Sequence, residues 1–65
     1  MRILLERILT RKNLSIRQVS ILTGVPRSTI EDIITGKRSP RMSTMEQLAK
    51  GLNVRITDLF ESPYK

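Results

Sequence analysis

The sequence predicts an all-α domain of five short helices, compact and single (residues 1–65), in which the second and third helices form a helix-turn-helix. Three observations carry this. Apolar residues recur at helical spacing in each segment between turn residues, and no stretch shows the alternation of a half-buried strand. Each of the first four segments runs into Gly or Asn, namely Asn13, Gly24, Gly36 and Asn53, the residues that most readily take the backbone conformation that ends a helix. The chain has 65 residues, enough for one small hydrophobic core.

Taken in order, Leu4 or Leu5, Ile8 and Leu9 place a stripe on a first helix over about residues 2 to 12, with Glu6, Arg7, Arg11 and Lys12 on its other side. Ser15 followed three positions later by Gln18 is a capping box, so a second helix runs from Ile16 to Leu22 or Thr23. Gly24 supplies the positive φ of a tight turn, and Pro26 holds Val25 extended while fixing its own φ for a helical start. A third helix then covers Arg27 to Thr35. Gly36 ends it, and Lys37-Arg38-Ser39-Pro40-Arg41 is a basic connector through which Pro40 forbids a helix. Ser43 and Glu46 have the spacing of a second capping box ahead of a fourth helix over 43 to 51. Ile56, Leu59 and Phe60 fit one or two turns of a fifth, closed by Ser62-Pro63. Val19, Val25, Ile30, Ile33, Met45 and Leu48 are the expected core.

The composition narrows the functions. Cys and His are absent, which removes disulfides, soft-metal sites, the nucleophilic thiol and the commonest general base, so no enzyme, metal or cofactor is expected. Nothing suggests a small-molecule ligand. Twelve Lys and Arg against six Asp and Glu give a net charge of +6, for which a polyanion is the natural partner. One Phe and one Tyr argue against single strands, which bind by stacking on aromatic side chains. Glu6 and Arg7 interrupt the apolar opening, so no signal peptide is expected and the chain is placed in the cytoplasm. The first helix needs its apolar face for the core, which argues against a membrane partner.

Two helices joined by a short glycine-containing turn are the unit that lays its second helix in the major groove, about 12 Å wide, where base edges expose an unambiguous pattern of donors and acceptors. From about Leu5 to Phe60 the chain resembles the Cro/C1-type (XRE) family of phage and bacterial repressors. The resemblance rests on Leu14-Ser15, Thr23-Gly24-Val25, Arg27-Ser28-Thr29-Ile30, Gly36-Lys37-Arg38, Pro40, Leu48-Ala49-Lys50, Leu52-Asn53-Val54 and Leu59-Phe60. It implies the lambda-repressor-like fold and a partner that is double-stranded DNA. It also implies that Arg27 and Ser28 face base edges, with Glu31 and Asp32 one turn further on. Arg27 is the main reader expected, the alternative being a phosphate contact, and Asp32 either accepts from a cytosine amino group or faces away. For Glu31 an intramolecular pair, or a charge that complements the positive end of the helix, is the expectation over a base contact. Phosphates are assigned to Ser15, Arg17 and Thr29, and to Lys37, Arg38, Arg41 and Ser43 around the connector.

Some positions depart from the family. An ion pair common between the first and third helices is replaced here by Leu9 and Ile34, which are expected to meet; exchanging both partners for apolar residues strands no charge. Ile16 stands where a Gln is usual, and with Ile21 it offers an apolar patch. Arg41 and Arg55 stand where Ser or Thr usually caps the following helix. The resulting expectation is a transcriptional repressor that binds a palindromic operator as a homodimer, in a bacterial or phage setting and on the nucleoid when bound, with Leu59, Phe60 and Tyr64 as the dimer surface. The alternative is a protein-interaction module on the same fold, such as an antitoxin or a phage-encoded inhibitor.

Overall fold

Asn13, Gly24, Gly36 and Asn53 all adopt left-handed backbone, with φ of 57°, 77°, 82° and 56°, and each ends a helix. The computed structural model describes residues 1–65. Along the chain come β1 (Arg2–Ile3), α1 (Leu5–Lys12), α2 (Ile16–Thr23), α3 (Arg27–Thr35), α4 (Met42–Leu52), a single 3-10 turn (Ile56–Asp58) and β2 (Phe60–Glu61). Twelve apolar side chains form one buried cluster, among them Val19, Val25, Ile30, Ile33, Met45 and Leu48, and no polar side chain is buried with them. No helix is long and apolar enough to cross a membrane.

The helices are four rather than five. Ile56, Leu59 and Phe60 mark only a 3-10 turn, opened by the Arg55 N–H donating to Asp58 Oδ2 at 2.9 Å. Beyond it the backbone pairs with the N-terminus, Arg2 opposite Glu61 and Ile3 opposite Phe60, antiparallel. The Leu4 N–H continues the ladder by donating to the Leu59 carbonyl at 2.8 Å. This pairing takes residues 2 to 4 away from the first helix, which therefore starts at Leu5 and not at Arg2. A β-branched side chain such as Ile3 loses little by leaving a helix. Lys65 locks the free side of β2: its ammonium donates to the Thr57 and Phe60 carbonyls and pairs with Glu61 at 3.1 Å. That hydrogen bond and charge hold the Glu61 carboxyl below its ordinary pKa.

Two further expectations change. The Ser43/Glu46 capping box does not form, because α4 starts one residue earlier at Met42 with Arg41 at its cap and no side-chain cap bond. Leu59 is fully buried and has no surface to offer a second protomer. Phe60 is half-buried and Tyr64 exposed. Leu9 and Ile34 line one shallow groove between α1 and α3, together with Leu14 and Ile16.

Candidate nucleic-acid interface

The geometry of the interface begins at the turn between α2 and α3. Gly24 makes the bend, and side chains then tie its neighbours down. Thr23 Oγ1 donates to the Val19 carbonyl at 2.7 Å and accepts from the Val25 N–H at 3.2 Å. Ser20 Oγ donates to the Val25 carbonyl at 2.7 Å. Val25 itself is buried, which fixes the spot from which α3 departs. Behind the turn, α4 packs against α2 through Gly51: a Cβ there would lie 2.5 Å from Thr23 Cγ2 and 2.7 Å from the Leu22 carbonyl oxygen. Gln47 of α4 donates to the Thr23 carbonyl at 3.4 Å.

From that base α3 buries Ile30 and Ile33 and turns Arg27, Ser28 and Glu31 outward. Pro26 caps it. The first intrahelical acceptor is the Pro26 carbonyl, taken by the Ile30 N–H at 3.1 Å, so the amides of Arg27, Ser28 and Thr29 remain open at the positive end of the helix. With nine residues at about 1.5 Å each, α3 is about 13 Å long, and its cylinder, about 10–12 Å across, matches the width of the major groove.

A cleft of about 650 Å³ opens between α3, the connector and the start of α4. Thr29, Arg38, Ser39, Arg41, Thr44 and Gln47 contribute its polar lining, which contains no acidic residue. The structure thus brings three of the expected phosphate ligands, Thr29, Arg38 and Arg41, to one place. Ser43 is exposed on the first turn of α4 but does not line the cleft; its neighbour Thr44 does. Lys37 is exposed on the connector. Neither Thr44 nor Gln47 is among the phosphate ligands expected from the sequence. Their signal is the three-residue spacing that puts both on one face of α4, and it acquires meaning only once the cleft is known.

Ser15 and Arg17 form a separate element at the start of α2. The capping box forms, with the Ser15 N–H donating to Gln18 Oε1 at 2.8 Å and the Gln18 N–H donating to Ser15 Oγ at 3.1 Å. Ser15 Oγ therefore serves as an acceptor and keeps its own O–H to donate. The Ile16 and Arg17 amides have no partner, and Arg17 is exposed.

Of the two acids on α3, Asp32 takes the intramolecular pair that was expected of Glu31. Its Oδ2 lies 3.7 Å from Arg38 Nη2, and its carbonyl accepts the Arg38 N–H at 3.2 Å. Glu31 is exposed and makes no ion pair. The expected apolar patch also shifts: Ile16 is half-buried against the core, while Ile21 and Leu22 are exposed at 75% and 52%.

A family model described as helix-turn-helix matches residues 5–59, from the first residue of α1 to the end of the 3-10 turn region. A comparison with curated proteins finds no match.

Proposed function

Because the chain belongs to the Cro/C1-type helix-turn-helix family, a family of DNA-binding transcription regulators, we propose that it is a sequence-specific repressor that reads double-stranded DNA through α3. The observation that carries this is the outward end of α3. Arg27 and Ser28 stand exposed beside open amides, next to an acid-free cleft lined by Arg38 and Arg41. Arg27 reads guanine O6 and N7 bidentately, a contact worth about 1–3 kcal/mol of discrimination. Ser28 reads the adjoining base. Phosphates on one side meet Thr29, Lys37, Arg38 and Arg41, with Ser43 at the rim. On the other side they meet the Ser15 hydroxyl, the start of α2 and Arg17.

One α3 covers a half-site, so the operator is a palindrome bound by a homodimer with recognition helices about 34 Å apart. Phe60 and Tyr64 are the dimer candidates left once Leu59 is assigned to the core. Repression follows from occupancy of the operator, which needs neither ligand nor catalysis. Exposure of Ile21 and Leu22 supports a second reading, in which α2 docks a partner protein and the same fold serves as an interaction module.

Selection from a random duplex library at two salt concentrations tests the proposal. A palindromic motif is expected, bound less tightly as salt rises. Arg27→Ala is expected to erase the preference at one symmetric pair of positions and leave the others. If no motif is enriched and binding is equally weak for both proteins, the repressor reading fails and Ile21 and Leu22 become the surface to pursue.

A further inference from the structure

Asp32 is an anomaly in a DNA-binding face. It sits on α3 one turn beyond Ser28, and a carboxylate there opposes phosphate. The sequence leaves it two roles, base reader or residue turned away. The structure supplies a third, because two different parts of Asp32 meet the same residue. Its carbonyl takes the Arg38 N–H at 3.2 Å and so hooks the connector onto α3 through main chain alone. Its carboxylate lies 3.7 Å from the Arg38 guanidinium. That separation exceeds the 2.7–2.9 Å or so of a directional charge-assisted hydrogen bond. The carboxylate therefore offsets the charge of Arg38 without orienting it.

Resting on the DNA reading above, we propose that Asp32 is an internal competitor for Arg38. In the free protein its carboxylate, outside the cleft, partners the Arg38 guanidinium, and a phosphate in the cleft must draw the guanidinium away from it. Arg38 lines the acid-free cleft with Arg41 and Thr29 and its side chain is 58% exposed, against 30% for Asp32, so the guanidinium is free to swing from one anion to the other. The effect is to lower sequence-independent affinity in a chain of net charge +6, which would otherwise adhere to any duplex. Asp32 on this account is a tuning residue that acts through Arg38.

Asp32→Asn removes the charge and keeps the carbonyl hook, so the connector stays in place. For a random duplex of fixed length, binding is expected to tighten about two- to fivefold, the range of an exposed ion pair. In the unaltered chain a random duplex wins the guanidinium in only part of the complexes, so the slope of log affinity against log salt is expected to steepen in Asp32→Asn by up to about 0.9, one phosphate more fully engaged. Glu61→Gln, which removes the same unit of charge on β2, measures the contribution of net charge alone and is expected to change the slope by less. Arg38→Ala closes the cycle: its cost is expected to be larger in the Asp32→Asn background than in the unaltered chain. Thermal melts of each variant show that all are folded at the temperature of the titration. If Asp32→Asn instead loses one base preference and binds its motif more weakly, Asp32 is a reader and the proposal is wrong. Equal cost of Arg38→Ala in both backgrounds also overturns it, and leaves simple repulsion. No binding of the unaltered chain to any duplex defeats the DNA reading itself, and this inference with it.

Discussion

The two connections that flank α3 are built differently. Before it, the bend at Gly24 is three residues long (Gly24 to Pro26), closed by the Ser20 hydroxyl donating to the Val25 carbonyl and the Thr23 hydroxyl accepting from the Val25 N–H, and backed by α4 through Gly51. After it, the connector from Gly36 to Arg41 is longer and its side chains are mostly exposed. It is held to α3 by two main-chain bonds, from the Gly36 and Arg38 N–H groups to the Ile33 and Asp32 carbonyls, and by one loose ion pair. A Cβ at Gly24 would find Gln47 Nε2 at 3.7 Å, whereas one at Gly36 would meet nothing within 4 Å. The difference assigns the labour. The first connection sets the angle at which α3 is presented, which must be right before any base edge can be read. The second carries cations on long, mobile side chains that adapt to phosphates whose positions vary with sequence.

The largest expected effect comes from breaking the rigid side at its buttress. In an open helix, Gly→Ala stabilises by about 0.5–1 kcal/mol. Gly51→Ala is expected to do the opposite, because the added methyl runs into the Leu22 carbonyl oxygen and the Thr23 backbone, which cannot swing aside as a flexible side chain would. Overpacking of this kind costs about 1–3 kcal/mol. In a domain this small it lowers the melting temperature by about 4–8 °C per kcal/mol. A variant that melts at or above the parent temperature would show that α2 and α4 are not pressed together at this point.

Next in size is Ser20→Ala. The Ser20 hydroxyl bond to the Val25 carbonyl is part-buried, and its loss leaves that carbonyl short of a partner, at a cost of about 1 kcal/mol. Stability alone would not separate the two connections. The sharper expectation is in sequence reading: a loosened turn lets α3 settle at more than one angle, so the enriched motif should blur at several positions together. Arg27→Ala, in contrast, should blur one symmetric pair. If Ser20→Ala binds the parent motif with unchanged preferences, the bend is held by Thr23 and the burial of Val25, and the hydroxyl of Ser20 is incidental.

The rigid side was also the more legible one. Asn13, Gly24, Gly36 and Asn53 mark helix ends through backbone chemistry that each residue carries with it, and the Ser15/Gln18 box is a local device, so the helices through α3 could be read from the chain. Three features resisted because their causes lie far away in sequence. Two-residue strands have no periodicity, and Arg2–Ile3 leaves the helical pattern only because Phe60–Glu61 is there to pair with it. The spacing of Ser43 and Glu46 imitates a cap at what is already the second residue of a helix that Arg41 opens. Leu59 reads as surface when the dimer contact is placed toward the fifth helical segment to keep α3 free, whereas the 3-10 turn carries it wholly into the core. At the interface, the cations of the connector were legible as charge. The pairing of Asp32 with Arg38, and the arrival of Thr44 and Gln47 beside Thr29, required the connector's path.

The smallest expected effect on duplex binding tests the loose side by itself. Gly36 has φ of 82° with open space where a Cβ would go, so Gly36→Ala introduces backbone strain and no collision. Chemical denaturation should register a loss of about 1–2 kcal/mol. If the connector adapts to its ligand, that strain is the same in the free and bound protein and cancels from the binding equilibrium. Duplex affinity, measured well below the melting temperature, should then change less than about twofold, and the salt slope not at all. A Gly36→Ala protein that is folded yet binds as weakly as Arg38→Ala would show the reverse: the left-handed turn at Gly36 would be aiming Lys37, Arg38 and Arg41 at fixed phosphates, and the connector would be as preorganised as the bend on the other side of α3.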